Sequence, residues 1–137
     1  MSLISEKPDL KDLIGRPYET GGRGPASYDC WGLCMAAAEK MGHRLPELEI
    51  PNDLDLRRKL VTVQRQAKFR RMAGPKAGSL ALFRIIDDEN QIRWHVGLVL
   101  FDTHKFIHTT EKMGANISRL DRQPWKLFIE GFYEPRA

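Results

Sequence analysis

Cys30, His95 and His108 are the residues of this chain whose types and placing can do nucleophilic chemistry. A thiol is mostly protonated at neutral pH, and a helix N-terminus or a nearby imidazolium favours the thiolate, which is the attacking species. Cys30 has the first of these locally, because Asp29, or Ser27 just before it, reads as the N-cap of a helix whose first turn holds Cys30. His95 follows Trp94 at the start of an apolar run, where strand alternation sets it on one face with Gly97, Val99 and Phe101, and His108 lies on the next strand. An imidazole that takes a proton from a thiol needs a polar group on its second nitrogen, which gives a triad of cysteine, histidine and orienting residue. A second chemistry is open to the same side chains: Cys30, Cys34, His95 and His108 offer two sulfur and two nitrogen ligands to zinc. A Cys-x3-Cys pair within one helix is an unusual zinc spacing, so the nucleophilic reading is preferred and no metal is expected.

The elements that must position these groups follow from pattern. Cys30, Leu33, Cys34, Ala37 and Met41 recur at steps of three and four with Gly42 beyond them, which predicts a helix and makes Cys34 a core thiol on its buried face. Before it, residues 16–27 hold Pro17, Gly21, Gly22, Gly24 and Pro25, a loop able to carry a site. Residues 8–15 read as a short helix with Leu10, Leu13 and Ile14 on one side. Asn52 or Asp53 can cap another helix through Leu56 and Leu60, although residues 61–63 also alternate like a strand. From residue 80 the pattern turns to β, with strands predicted over 80–86, 94–101, 105–109, 117–120 and 127–133 and hairpin turns at 87–91 and 102–104. Helices first and a meander afterwards predict one α+β domain over residues 1–137, its helices on one face of an antiparallel sheet. His43 and His104 are expected to be exposed.

Composition narrows the function classes. The 137 residues suit one globular domain, and 29% charged against 42% hydrophobic residues excludes wholesale disorder and low-complexity linker. The longest run of apolar residues and glycine, residues 30–38, is far short of a membrane span, which takes about 20 residues. Residues 1–12 lack an apolar core and do not read as a secretory signal. Net charge is +4, and its excess comes from one segment: Arg57, Arg58, Lys59, Arg65, Lys68, Arg70, Arg71 and Lys76, with no acidic residue among them. With Phe69 the only interleaved aromatic, this reads as a solvated face rather than a nucleic-acid footprint.

Five fragments occur in order between Pro17 and Thr109: Pro17-Tyr18 with Gly21-Gly22, Tyr28-Asp29-Cys30-Trp31-Gly32-Leu33, Gly78-Ser79-Leu80, His95-Val96-Gly97-Leu98-Val99, and Phe106-Ile107-His108-Thr109. This succession resembles the NlpC-type cell-wall cysteine peptidases. The resemblance implies a papain-like NlpC fold with Cys30 as nucleophile, His95 as base and His108 as orienting residue. It also implies an oxyanion and substrate-binding region that includes Tyr18 and Asp29 beside the Cys30 amide, and it implies no cofactor. The implied substrate is a peptidoglycan stem peptide, cut between D-glutamate and diaminopimelate or lysine. The Asp-Cys-Trp-Gly form resembles the bacteriophage tail-assembly branch, which implies tail proteins as partners, synthesis in the bacterial cytoplasm and action at the cell wall. Trp31 departs from the small residue that usually follows the nucleophile, and Ser79 stands where an Asp is frequent. Those departures keep open a catalytically silent tail component, with Trp31 narrowing the cleft and the basic segment as an assembly surface.

One expectation strains the triad. A hairpin turning on Thr103 and His104 sets His108 opposite Val99, four residues beyond His95 and roughly 13 Å away at ordinary strand rise. A bulge, a wider turn or strong twist must close that gap, or else Thr110 or a neighbour orients His95.

Overall fold

The structure, a computed structural model, describes residues 9–50, 52–61 and 68–136. Among the described residues three helices, α1 (Cys30–Lys40), α2 (Asp53–Val61) and α3 (Trp125–Phe128), accompany six strands: β1 (Phe69–Met72), β2 (Leu80–Ile86), β3 (Ile92–Val99), β4 (Lys105–Thr110), β5 (Gly114–Arg119) and β6 (Ile129–Pro135). The strands form one sheet in the order β1-β6-β2-β3-β4-β5, antiparallel at every pairing.

Strand alternation splits the core into two layers. Leu80 and Leu82 of β2, with Val96 and Leu98 of β3, join Trp31, Leu33, Cys34 and Ala37 of α1 and Leu56 and Leu60 of α2 on one side of the sheet. Ala81, Phe83, Val99 and Phe106 face the other side, where Trp125 and Phe128 of α3 cover them. The predicted α+β class holds, and α1 and α2 share one face as expected. The opposite face carries its own small core under the one-turn α3.

The boundaries of α1 have local causes. Asp29 is the N-cap, its carboxylate accepting from the Gly32 amide at 2.6 Å. At the other end Gly42 takes φ +87°, and the Gly42 and His43 amides donate to the Glu39 and Ala38 carbonyls, each at 3.0 Å. This is a Schellman stop, which needs the left-handed conformation that glycine adopts freely.

Several expectations are corrected. Of the helix predicted over residues 8–15, the described part forms only a turn, over residues 11–15. The reason is competition from the sheet: Gly15 donates to the Ala115 carbonyl at 2.8 Å and Ala115 donates to that of Arg16 at 2.9 Å, so the chain leaves its first turn to run along the edge of β5. The predicted strand over 127–133 begins at Ile129, because Trp125 and Phe128 close over the lower core as a helical turn. Of the strand predicted over 117–120, residues 117–119 belong to a strand that starts earlier, at Gly114, and ends at Arg119. β1 was not predicted; its arginines pair with β6, Arg70 with Glu134 and Arg71 with Glu130, which tethers a strand half of whose residues are basic. The alternation at 61–63, the residue Arg65 and the segment 1–8 with its missing signal fall wholly or mostly outside the described residues.

Candidate active site

The glycines around Cys30 bring a loop against the helix start. A Cβ on Gly32 would lie 2.2 Å from the Gly22 carbonyl oxygen, and one on Gly22 would lie 2.9 Å from both the Glu19 carbonyl oxygen and the Tyr28 Cα. Two residues without side chains therefore let the loop sit directly on the first turn of α1. Arg23 locks it there, donating to Asp29 at 2.7 Å, to Glu47 at 2.9 Å and to the Leu48 carbonyl at 2.9 Å. Asp29, 4% exposed, thus serves both the helix cap and this ion pair.

Tyr18, Asp29, Cys30 and His95 all line one cavity of about 350 Å³, with Trp94 and Thr109. A cavity of about 460 Å³ at the far end of α1 is larger, but its lining, which includes His43, Arg44 and Lys76, contains no thiol. The smaller cavity is the one whose lining holds both the candidate nucleophile, Cys30, and the candidate base, His95.

His95 faces Phe83 across the β2–β3 pair, and its ring stacks on Trp125 at a centroid distance of 5.4 Å and an angle of 28°. Its Nε2 lies 2.8 Å from His108 Nδ1. The 13 Å offset expected from sequence is absent because the hairpin register differs. Val99 pairs with Phe106 and Leu98 with Ile107, so the turn spans Phe101, Asp102, Thr103 and His104, and His108 comes two residues nearer to His95. This is the wider turn among the alternatives. Gly97 lets the strands approach, since a Cβ there would meet Phe106 at 2.5 Å and the Ile107 carbonyl at 2.9 Å. His108 is 1% exposed and also approaches Ser118 Oγ through Nε2 at 2.8 Å.

Burial sets the protonation states. It pulls His95 down from 6.5 to about 4, and burial together with the neighbouring His95 pulls His108 to about 3. Both rings are neutral at pH 7. The Cys30 thiol is pushed up to about 12, first by burial and then by the Asp29 charge. The amides of Trp31 and Cys30 at the helix start act in the opposite direction, as expected, but they are outweighed. The resting site is therefore a thiol beside a neutral imidazole. Tyr18 is also raised, chiefly by burial, so its hydroxyl remains a donor.

Other expectations are revised. Trp31 does not narrow the cleft: it is fully buried, edge-on to Phe69, with Nε1 donating to the Pro46 carbonyl at 3.0 Å. Ser79 closes a turn by donating to the Lys76 carbonyl at 2.6 Å. Cys34 is fully buried and its thiol raised well above the ordinary range by that burial. Among the described residues no group of three or more His, Cys, Asp or Glu side chains is gathered to hold a metal ion, so the four-ligand alternative lacks its geometry. His43, expected to be exposed, is half-buried against Gly78, whereas His104 is exposed. Sequence reasoning missed Arg23, Asn116, Ser118 and Trp125; each acts through a contact between separate segments that no local pattern announces.

A helix-borne cysteine and a strand-borne histidine that line one cavity beside an antiparallel sheet are the arrangement that the sequence resemblance implies. Residues 15–133 match the NlpC/P60 family, and the chain belongs to that family. No curated protein matches it. Among solved structures it is similar to an NLP/P60 family protein, described as similar to a lipoprotein, from Staphylococcus aureus (26% identity, 93% of this chain and 39% of that one, TM-score 0.59). It is similar in fold to NlpC1 from Trichomonas vaginalis (21% identity, 90% and 40%, TM-score 0.56) and to the NlpC/p60 domain of the peptidoglycan hydrolase SagA (17% identity, 91% and 92%, TM-score 0.54). The chain thus spans about two fifths of the first of these structures and nearly all of the SagA domain.

Proposed function

We propose that this chain is a cysteine endopeptidase that hydrolyses peptidoglycan stem peptides between D-glutamate and diaminopimelate or lysine. The observation that carries the reading is the shared cavity of Cys30 and His95, with His95 held from behind by His108 at 2.8 Å. Cys30 Sγ attacks the scissile carbonyl carbon while its proton passes to the His95 nitrogen that His108 does not occupy. The oxyanion is met by the Cys30 amide and the Tyr18 hydroxyl, while Asp29 keeps the helix start in place beside them. Collapse of the tetrahedral intermediate expels the amine, which takes the proton from His95 and leaves a thioester. Water, deprotonated by the same imidazole, then attacks the thioester, and the acid product leaves as Cys30 regains its proton. The Asp29-Cys30-Trp31-Gly32 form supports a role in a phage or prophage tail that crosses the cell wall, with other tail proteins as partners.

The test is hydrolysis of defined muropeptides followed by mass spectrometry, with Cys30→Ala and His95→Ala as controls. Release of fragments ending in D-glutamate by wild type alone is the expected result. Intact muropeptides after prolonged incubation with folded wild-type protein would leave the silent tail component as the better description.

A further inference from the structure

We propose that Asn116 and Ser118 are positioning residues that hold His108 as its Nε2–H tautomer and so leave Nδ1 of His95 as the free base of the site. This rests on the reading of Cys30 and His95 as nucleophile and base. The argument starts from a group with no choice: a main-chain carbonyl can only accept. The Gly114 carbonyl takes the Asn116 side-chain amide at 2.9 Å. That bond orients the amide, so Asn116 Oδ1 is the atom that faces Ser118 Oγ, at 3.2 Å. The Ser118 hydroxyl must donate to it, and its one proton is then used. Toward His108 Nε2, 2.8 Å away, the Ser118 oxygen can only accept, so Nε2 carries the proton. His108 Nδ1 is left with a lone pair, and across 2.8 Å it accepts from His95 Nε2–H. His95 then has its lone pair on Nδ1, the nitrogen able to take a proton from Cys30.

The opposite polarity fails at both ends. It would put a proton on His95 Nδ1, where the thiol proton has to arrive, and it would take the Ser118 hydroxyl proton away from Asn116 Oδ1. The anchor is also rigid. Gly114 opens β5 at φ +66°, where a Cβ would lie 2.7 Å from the Arg16 carbonyl, and Ala115 is bonded to Arg16 and Gly15 on the adjoining segment. His108 and Asn116 are direct cross-strand partners, and Ser118 is the diagonal neighbour that reaches Nε2. Because every link lies on paired strands, the polarity is built into the fold before any substrate arrives.

The tautomers can be read without a substrate, from two-bond proton–nitrogen correlations of protein labelled with ¹⁵N-histidine. Wild type is expected to show both His95 and His108 as Nε2–H. In Ser118→Ala the Nδ1–H form should grow in, and the rate of Cys30 alkylation by iodoacetamide at pH 7 should fall about tenfold. Ser118→Thr, which keeps the hydroxyl, should restore both. An Nδ1–H ring in wild type, or a Ser118→Ala protein with unchanged tautomers and unchanged alkylation, overturns the proposal. If Ser118→Ala fails to fold, the wild-type tautomers alone decide. A His95→Ala protein that alkylates as fast as wild type would instead sink the nucleophile and base reading, leaving the tautomer measurement to judge the relay by itself.

Discussion

His95 Nε2 and His108 Nδ1, thirteen residues apart in the chain, meet at 2.8 Å across the β3–β4 hairpin under the ring of Trp125. The pairing leaves one nitrogen of His95 for the cavity and removes the other from water. Its consequences can be measured through pH, packing and strand spacing.

His95, the proposed base, works unprotonated, and burial holds it near 4. The acid limb of kcat/KM is therefore expected near pH 4, well below the 6.5 of an ordinary imidazole. A limb at pH 6 to 7 would contradict the burial of the pair. Stability follows with a definite sign. Below about 6.5 the unfolded chain protonates both rings, while the folded chain does so only near 4 and 3, so the unfolded state binds more protons in that window. Thermal unfolding should show Tm falling as pH drops from about 6.5 toward 3, and His95→Asn should flatten that slope.

Trp125 lies over His95 at 5.4 Å and edge-on to His108 at 4.7 Å. Trp125→Ala opens the pair to water and removes a half-buried ring. We expect a loss of about 2 kcal/mol in urea denaturation, below the range for a fully buried ring. The acid limb should move upward as desolvation is relieved, which a purely structural contact would not cause. Trp125→Phe should keep most of both properties.

Gly97→Ala would drive a methyl group against Phe106 and the Ile107 carbonyl. Overpacking of this kind costs about 1–3 kcal/mol. Because the strands must separate where His95 and His108 meet, kcat should fall by at least about tenfold while the protein remains folded by circular dichroism. A folded Gly97→Ala protein with wild-type kcat would show that the separation of β3 and β4 does not matter to the site.

Asp29→Asn separates capping from charge. The amide oxygen can still accept from Gly32, so the helix start should survive, whereas the Arg23 ion pair is lost. Total cost should be about 1 kcal/mol, the scale of one partly exposed ion pair. The charge that helps to raise the Cys30 thiol also disappears. Its pKa should fall and its alkylation at pH 8 should quicken, even though the variant is less stable. Slower alkylation would mean that the helix start had shifted.

Much of this architecture is written locally. Asp29 before an apolar repeat and Gly42 behind it are enough to delimit α1, since caps and left-handed stops act within one turn. Strand alternation likewise reveals β2, β3 and β4, and the order of the motif fragments brings Cys30, His95 and His108 together as candidates. The register of β3 against β4 is not local: turn residues permitted a hinge on Thr103 and His104, and a slip of two residues keeps every side chain on its face. Which side chains lie directly opposite resolves that ambiguity: Leu98 stands against Ile107 on the α1 side, and Val99 against Phe106 beneath α3.

Protonation states were equally beyond a linear reading. A cysteine in a first helical turn suggests a favoured thiolate, yet burial outweighs the helix amides, and burial exists only once the loop, helix and sheet have closed around it. Trp125, Ser118 and Asn116 have no signature in sequence because their effect is carried by distance across strands and layers. Local sequence therefore specifies which reactive groups are present and which elements bear them. Long-range packing sets how far apart they lie and which of them hold protons, because desolvation and hydrogen-bond direction are properties of a surrounded group.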